Sequence, residues 1–284
     1  MRPMTLKVDH ITVCGSNLEA MRHAFARVGL STTYGGPHSN GATHMDLLPF
    51  DDGSYLELIA PITSMSGASG MMSGWTHLME ADAGAGAWAV RTDDIHSEVR
   101  CLRAAGIEVR GPEAGSRQRP DGTQLEWETA IIGPSPAGSL LPFLIQDKTP
   151  RRLRVPSSDA TSDIGGVAAV VIGVRDIKKA TELYRSGFGW DAPQIADHSE
   201  FGAVLAYFMH SPVILAAPLD TGSWLQERLE RFGECPAAFL LAPCDDFDIE
   251  AHFAATEQAL WFGKTVAWLD QEKLMGARLG FMTK

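Results

Sequence analysis

Apolar and polar residues alternate over short stretches of the chain, and amphipathic helical segments separate these stretches. Leu6 to Cys14 alternates as a strand. Asn17 then caps a predicted helix that Gly29 ends, because a short polar residue starts a helix well and glycine stops it. The helix keeps Leu18, Met21, Phe25 and Val28 on one face. Three strand-like runs follow, namely Thr32 to Tyr34, Thr43 to Phe50 and Tyr55 to Ala60. The pattern predicts a β-α-β-β-β unit.

The same order of elements recurs three more times, which indicates an internal repeat. The second copy begins at Ala87 to Val90 and has its helix face at Ile95, Val99 and Leu102. The third begins at Val167 to Val174, with Asp176 as helix cap. The fourth begins at Ala237 to Leu241, and we predict that its helix holds Ile249, Phe253 and Leu260.

A polar stretch bounded by prolines, residues 148–162, interrupts this pattern and predicts an interdomain linker. It separates an N-terminal domain, residues 1–150, from a C-terminal domain, residues 163–284. The N-terminal domain consists of modules at about 1–65 and 84–150. One module cannot cover both faces of its sheet, so two modules are expected to pair around a concave surface, here called the cup. The predicted fold class is α+β, with four β-α-β-β-β modules paired into two domains.

Charge narrows the range of partners. The 284 residues include 24 Lys and Arg against 35 Asp and Glu, a formal charge of −11. This balance argues against nucleic acid and against an anionic membrane surface as the main partner. We expect a cytoplasmic protein, because no apolar leader or membrane-length run is visible. The four cysteines lack metal or disulfide spacing and are expected to be reduced.

Three stretches of the first half resemble the vicinal oxygen chelate superfamily, and its glyoxalase-like branch in particular. They are Val8 to Val13, Gly53 to Ala60, and Gly115 to Gly122 followed by Trp127. Relatives in that superfamily include glyoxalase I, extradiol dioxygenases, methylmalonyl-CoA epimerase and bleomycin-resistance proteins. The resemblance implies concave mixed sheets with the functional site in the cup.

The resemblance also implies a divalent metal, Fe, Mn, Ni or Zn, on His10 and Glu57. Alternation along the two strands predicts that Val8, His10, Thr12 and Cys14 share one face, as do Tyr55, Glu57 and Ile59. His44 is the candidate third ligand, and together with Glu57 the candidate acid/base pair, if it faces the cup. The alternative is that His10 and Glu57 are ordinary strand residues and that His44 is exposed.

The partner modules lack matching ligands. The second copy has Ala87 and Phe143 at the positions of His10 and Glu57, and the third has Ala169 and Ile214. We therefore expect no metal in the C-terminal half. That half completes the domain pair or forms an oligomer interface, such as that of a homodimer, and the sequence leaves both open.

Substrate-binding candidates surround the Pro120-Asp121-Gly122 turn. Arg117 and Arg119 could clamp an anionic oxygen, whereas Asp121 could instead neutralise one of them. Trp127, Tyr55 and Trp88 are candidates for an apolar wall.

Three functions remain open from the sequence. The first is a metal-assisted lyase or isomerase that acts on a small oxygen-rich substrate through an enediolate. The second is a protein that binds and sequesters a small molecule without catalysis, of bleomycin-resistance type. The third is an Fe(II) extradiol-type dioxygenase, which would need His44 or His77 as a further ligand.

Overall fold

The structure is a computed structural model that describes residues 3–39, 41–62, 74–134, 136–155, 163–244, 253 and 255–283. Within these residues the chain forms two eight-stranded sheets, one from each half. No helix of the described part is both long and apolar enough to cross a membrane.

The described part of the first half contains eight strands and four helices. They are β1 (Lys7–Cys14), α1 (Leu18–Ala26), β2 (Thr33–Pro37), β3 (Thr43–Pro49), β4 (Tyr55–Pro61), α2 (Thr76–Glu80), β5 (Gly84–Arg91), α3 (Ile95–Ala104), β6 (Val109–Gln118), β7 (Gln124–Ile132), β8 (Phe143–Asp147) and α4 (Arg151–Arg154).

Residues 163–244, 253 and 255–283 of the second half form eight further strands and two helices. They are β9 (Ile164–Gly173), α5 (Ile177–Phe188), β10 (Gln194–His198), β11 (Ala203–Tyr207), β12 (Val213–Pro218), α6 (Trp224–Phe232), β13 (Pro236–Pro243), β14 (Ala255–Trp261), β15 (Lys264–Leu269) and β16 (Leu279–Met282).

Each sheet joins two modules through their first strands. The strand order is β2-β3-β4-β1-β5-β8-β7-β6 in the first sheet and β10-β11-β12-β9-β13-β16-β15-β14 in the second. In both, the central pair, β1–β5 or β9–β13, is antiparallel, whereas the first and last strands of a module pair in parallel. The predicted fold class, with paired β-α-β-β-β modules, is confirmed.

The predicted caps start the helices. The Asn17 side chain accepts a hydrogen bond from the Ala20 amide at 3.0 Å, and Asp176 accepts from the amides of Lys178 and Lys179. These side chains satisfy amides that have no partner inside the helix. Leu18, Met21 and Phe25 of α1 are buried, as their spacing predicts.

Some elements differ from the prediction. Strands β6 and β10 and helices α2 and α6 were not expected, and β6 escapes the pattern because Gly111, Pro112 and Gly115 interrupt its alternation. The helix predicted in the fourth copy is wrong at Leu260, which lies exposed in strand β14. Ile249 lies outside the described residues.

The two halves share one apolar core, formed by the helix-facing sides of both sheets. Backbone contacts tighten the interface: the Asp51 and Asp52 amides donate to the carbonyls of Ile164 and Gly165. Gly84 lies so close to Ala277 that a Cβ at residue 84 would be 2.9 Å from the Ala277 Cα, which requires glycine there.

Candidate functional site

A β-bulge in β1 directs His10 into the N-terminal cup. Val8 pairs with Val90 and His10 with the adjacent Ala89, so Asp9 has no partner of its own on β5. The extra residue breaks the alternation, and Val8 packs in the helix-facing core while His10 and Thr12 face the cup. The expectation that Val8 shares a face with His10 is therefore corrected.

Glu57 lies beside this strand and is held by two donors. The Thr12 hydroxyl donates to Oε2 at 2.9 Å, and His38 Nε2 lies 3.4 Å from Oε1. Burial alone would raise the pKa of Glu57. The hydrogen bonds from His38 and Thr12 and the positive charge of His10 outweigh burial, and lower this pKa to about 2. Glu57 is thus a buried carboxylate that stays ionised.

The two imidazoles near Glu57 are held differently. His38 Nδ1 lies 2.9 Å from the Thr43 hydroxyl, so both of its ring nitrogens have partners. His10 Nδ1 lies 2.6 Å from Asp9 Oδ1, whereas His10 Nε2 is 4.0 Å from Glu57 Oε2, beyond a hydrogen bond. Of the ring nitrogens of His10 and His38, His10 Nε2 is therefore the one without a hydrogen-bond partner among the described residues.

Asp9 is fully buried and is held by two arginines of α4. Arg154 donates to Asp9 Oδ1 at 3.1 Å and to Oδ2 at 2.7 Å, and Arg151 donates to Oδ2 at 2.6 Å. Burial alone would raise the pKa of Asp9, but the Arg154 guanidinium and the His10 ring outweigh it and hold this pKa well below its ordinary value. An ionised Asp9 can only accept a hydrogen bond, so it places the proton of the neutral His10 ring on Nδ1.

Helix α4 lies within the stretch predicted as a linker. Arg151 and Arg154 also contact Asp147, and Arg154 donates to the Tyr55 hydroxyl at 3.1 Å. The first part of that stretch is therefore structural support for His10, which no hydrophobic pattern could show. Residues 156–162 of the predicted linker lie outside the described residues.

His44 does not join this group. On the β3–β4 ladder Leu47 pairs with Glu57 and His44 with Ala60, which puts His44 on the opposite face of the sheet. Its neighbour on that face, Asp46, accepts hydrogen bonds from Arg22 of α1. The expectation that His44 acts with Glu57 is corrected by this register, and His38 lies beside Glu57 instead.

The two candidate arginines are separated by the structure. Arg117, at the end of β6, is buried near Tyr55 and Glu57 and donates to the Gly35 carbonyl of β2, so it bridges the two edges of the curled sheet. Burial lowers its pKa. Arg119 is partly exposed, donates to the Leu153 carbonyl at 3.1 Å and lies 3.6 Å from Asp121.

The aromatic residues predicted to line the cup lie in two different places. Tyr55 stacks on the His10 ring with centroids 4.7 Å apart. Trp127 packs over Gly115 and against the apolar floor of the cup. Trp88 pairs with Ile11 and is fully buried in the helix-facing core, so its predicted place in the cup wall is corrected.

The partner module places apolar side chains where further ligands would stand. His10 pairs with Ala89 and Thr12 with Ala87, so the approximate two-fold axis between β1 and β5 relates His10 to Ala87. The same axis relates Thr12 to Ala89. In the parallel ladders Thr12 pairs with Glu57 and Ala89 pairs with Phe143, so Phe143 corresponds to Glu57. The Phe143 ring lies 5.4 Å from the His10 ring and fills this half of the floor.

These residues, as arranged, do not fit a divalent metal. Both Glu57 oxygens are engaged by Thr12 and His38, and His44 faces away. Within the described ranges, no group of three or more His, Cys, Asp or Glu side chains is placed to hold a metal ion. His77, the other histidine considered, is exposed on α2 against Phe232.

The C-terminal cup has lost most of this chemistry. Val171 pairs with Ile214 just as Thr12 pairs with Glu57 in the first half. Ile214 therefore stands at the position of Glu57, and Ala169 stands at that of His10. His198, opposite Ala203, corresponds to His38 opposite Thr43. Its Nδ1 lies 3.0 Å from Glu200, but its buried Nε2 has no partner among the described residues.

Fold and site define a two-sheet protein of the vicinal oxygen chelate superfamily. Residues 8–188, more than half of the chain, match the family described as Glyoxalase-like domain. The chain belongs to this family. A comparison with curated proteins found no match.

Solved structures support the fold. A hypothetical protein from Staphylococcus aureus is 16% identical with a TM-score of 0.62, and the match covers 98% of this chain and 100% of that one. A mutant of 4-hydroxymandelate synthase from Streptomyces coelicolor is 10% identical with a TM-score of 0.61, covering 100% of this chain and 93% of that one. At these identities the likeness establishes the fold and not the activity.

Proposed function

We propose that the N-terminal cup is the active site of an isomerase or lyase that moves a proton next to a carbonyl of a small, oxygen-rich substrate. One observation carries the proposal: Asp9 holds His10 Nδ1 at 2.6 Å, while His10 Nε2 is left without a hydrogen bond among the described residues. A buried imidazole held this way by a carboxylate is suited to act as a general base.

In the proposed step, His10 Nε2 takes a proton from the carbon next to the substrate carbonyl. The electrons of that C–H bond form the carbon–carbon double bond of an enediolate, and the carbonyl electrons move to its oxygen. Asp9 stabilises the resulting imidazolium, which returns the proton to the former carbonyl carbon. The proton of the substrate hydroxyl passes to the former carbonyl oxygen, so that the C=O bond re-forms on the neighbouring carbon. Arg117, buried near Glu57, would hold an anionic oxygen of the substrate.

Glu57 has a supporting role in this scheme. A carboxylate with a pKa of about 2 is a weak base, so proton abstraction falls to His10 and not to Glu57. Its oxygens instead lie 4.0 Å from His10 Nε2 and 3.4 Å from His38 Nε2, so Glu57 helps to position these two rings.

A second candidate is a binding protein without catalysis. Phe143 stands at the position of Glu57 in the partner module, and Ala87 at that of His10, so half of the cup floor is apolar. Such a floor suits an apolar part of a sequestered ligand. The metal-assisted and Fe(II) dioxygenase versions require a rearranged donor set, and the elemental content of the purified protein tests them.

The test is hydrogen exchange into hydroxyacetone and dihydroxyacetone in D₂O, followed by proton NMR, because enediolate formation replaces carbon-bound hydrogen by deuterium. We expect exchange by the wild type and a loss of about 100-fold or more in His10→Asn. His44→Asn is the matched control, since that histidine lies on the outer face of the same sheet.

Equal exchange by His10→Asn and the wild type would overturn the acid/base role. Ligand binding without exchange would support the binding protein. Stoichiometric Fe, Mn, Ni or Zn in protein purified without chelator or affinity tag, lost in His10→Ala and Glu57→Ala, would instead support the metal-assisted version.

A further inference from the structure

A second cavity lies where the two halves of the molecule meet. Its volume is about 240 Å³, and Arg228, Arg231 and Arg278 contribute to its wall together with Trp224 and Phe232. Three guanidinium groups around one small cavity stand out in a chain with a net charge of −11.

Within the described part of the chain, none of these three arginines has a carboxylate within ion-pair distance, although Arg22, Arg151 and Arg154 do. Glu227 also contributes to the wall, without pairing with them. Burial lowers the pKa of Arg278, the charge of Glu257 opposes this effect, and Arg228 adds to it by repulsion. The cavity therefore holds positive charges that repel one another.

Aromatic rings and backbone carbonyls fix these groups in place. The Arg278 Cζ lies 3.8 Å from the centroid of the Trp224 ring, whose Nε1 is anchored on the Phe201 carbonyl. Arg228 donates to the carbonyls of Ala83 at 2.7 Å and Pro236 at 2.8 Å. Carbonyls and rings hold a guanidinium without cancelling its charge.

Arg278 has an N–H donor that no described residue uses. Its Nε is buried, and no described residue accepts a hydrogen bond from it. Arg231 is exposed and lies over the Phe232 ring at 4.9 Å, so its outer N–H groups face solvent. Guanidinium groups stacked on rings present their edges to oxyanions, which they bind with paired hydrogen bonds.

We propose that this cavity, lined by Arg228, Arg231 and Arg278, binds a small oxyanion carrying phosphate or carboxylate oxygens. The cavity is smaller than the roughly 300–1,000 Å³ of pockets for drug-sized ligands, which favours a small anion or one anionic group of a larger molecule. Because Arg228 of α6 contacts the carbonyl of Ala83 in the first half, the anion would bind where the halves meet. The proposal is independent of the chemistry in the N-terminal cup.

The experiment measures binding of inorganic phosphate to the full chain by calorimetry, together with the melting temperature in phosphate and in chloride at equal ionic strength. We expect phosphate to bind and to raise the melting temperature, because a ligand that binds only the folded state stabilises it. Arg278→Gln and Arg231→Gln should each weaken phosphate binding about tenfold or more. Arg231 is exposed, so its variant remains informative if Arg278→Gln does not fold.

A control variant locates the site. Arg185→Gln removes the same charge from the exposed Arg185–Glu182 pair on α5, and this variant should keep the wild-type phosphate affinity. An equal effect of phosphate and chloride on the wild type, or equal weakening in Arg185→Gln, would overturn the proposal. Unchanged affinity in Arg278→Gln would also overturn it.

Discussion

Asp9 Oδ1 lies 2.6 Å from Nδ1 of His10, its neighbour in the chain. Two successive strand residues normally point to opposite faces of a sheet, but the bulge at Asp9 lets its carboxylate turn to the ring of His10. Since the pKa of Asp9 is held well below its ordinary value, Asp9 accepts the hydrogen bond and His10 donates it.

This relationship predicts the proton position on His10. In ¹⁵N-edited NMR spectra of the wild type, we expect a downfield Nδ1–H resonance of His10 that exchanges slowly, because the group is buried and bonded to a carboxylate. In Asp9→Asn it should move upfield or broaden, since an amide oxygen is a weaker acceptor. His10→Gln assigns the resonance, and an unchanged resonance in Asp9→Asn would show that Asp9 is not the acceptor.

The support from α4 predicts a large stability effect. Arg154→Met removes the two hydrogen bonds of Arg154 to the fully buried Asp9, and leaves Arg151 and the His10 ring to offset that charge. We expect the free energy of unfolding to fall by about 3 kcal/mol, as in other broken buried ion pairs. Urea denaturation measures it.

Arg185→Met is the control for this variant. Arg185 is exposed and pairs with the exposed Glu182 at 3.3 Å, so its loss should cost less than about 1 kcal/mol. Equal costs for the two variants would mean that Arg154 does no more than a surface charge.

The ionised state of Glu57 predicts a dependence of stability on pH. Its pKa of about 2 in the folded protein is below the ordinary 4.5, so the carboxylate stabilises the fold above about pH 4.5 and this contribution is lost as the pH falls toward 2. Between about pH 5 and pH 3, the wild type should lose on the order of 2 kcal/mol more unfolding free energy than Glu57→Gln.

The other carboxylates are the same in both proteins, so the difference between their pH profiles reports on Glu57. Glu182→Gln, at an exposed position, should follow the wild type. A Glu57→Gln variant with the same pH profile as the wild type would contradict the proposed environment of this carboxylate.

Periodicity predicts most of the fold but not which side chains meet. It finds Asn17 and Asp176 as caps, because capping depends on residues close in the chain. The bulge at Asp9 does shift the alternation, from core positions at Leu6 and Val8 to core positions at Ile11 and Val13. One strand by itself does not show which of its faces lines the cup. A one-residue choice of register decides which face a strand turns inward, and so decides that His44 is outside the cup.

The contact between Asp9 and Arg154 is another feature that periodicity cannot predict. It joins residues far apart in the chain and arises only once α4 packs against the first sheet. The short basic cluster of Arg151, Arg152 and Arg154 was the available signal, and in an acidic chain such a cluster resembles a solvated surface.

The structure also sharpens the prediction for the two arginines. Arg117→Met should bind glycolate, the smallest 2-hydroxy carboxylate, about tenfold or more weakly than the wild type, because Arg117 is buried near Glu57 in the cup. Arg119→Met should keep the affinity and lose some stability, since Arg119 joins the Leu153 carbonyl to Asp121. Calorimetry and thermal melting of both variants test this. Unchanged glycolate affinity in Arg117→Met would remove the anion clamp.

The last prediction concerns His198, the C-terminal counterpart of His38. Its position is 8% exposed, and its Nε2 has no partner among the described residues because Ile214 stands where Glu57 stands in the first half. An unpaired buried polar atom costs about 1–3 kcal/mol. The ring of His198 contacts Trp261 and Phe262, with centroids 5.7 and 5.3 Å away, so phenylalanine would fit the same surroundings.

His198→Phe should therefore raise the free energy of unfolding by about 1 kcal/mol, despite the loss of the contact between Nδ1 and the half-exposed Glu200. His77→Phe, at an exposed position on α2, should change it by less than about 0.5 kcal/mol. Urea denaturation of both variants measures the effects. A His198→Phe variant less stable than the wild type would mean that the Glu200 contact outweighs the unpaired nitrogen, and that this histidine keeps a structural role after the loss of its carboxylate partner.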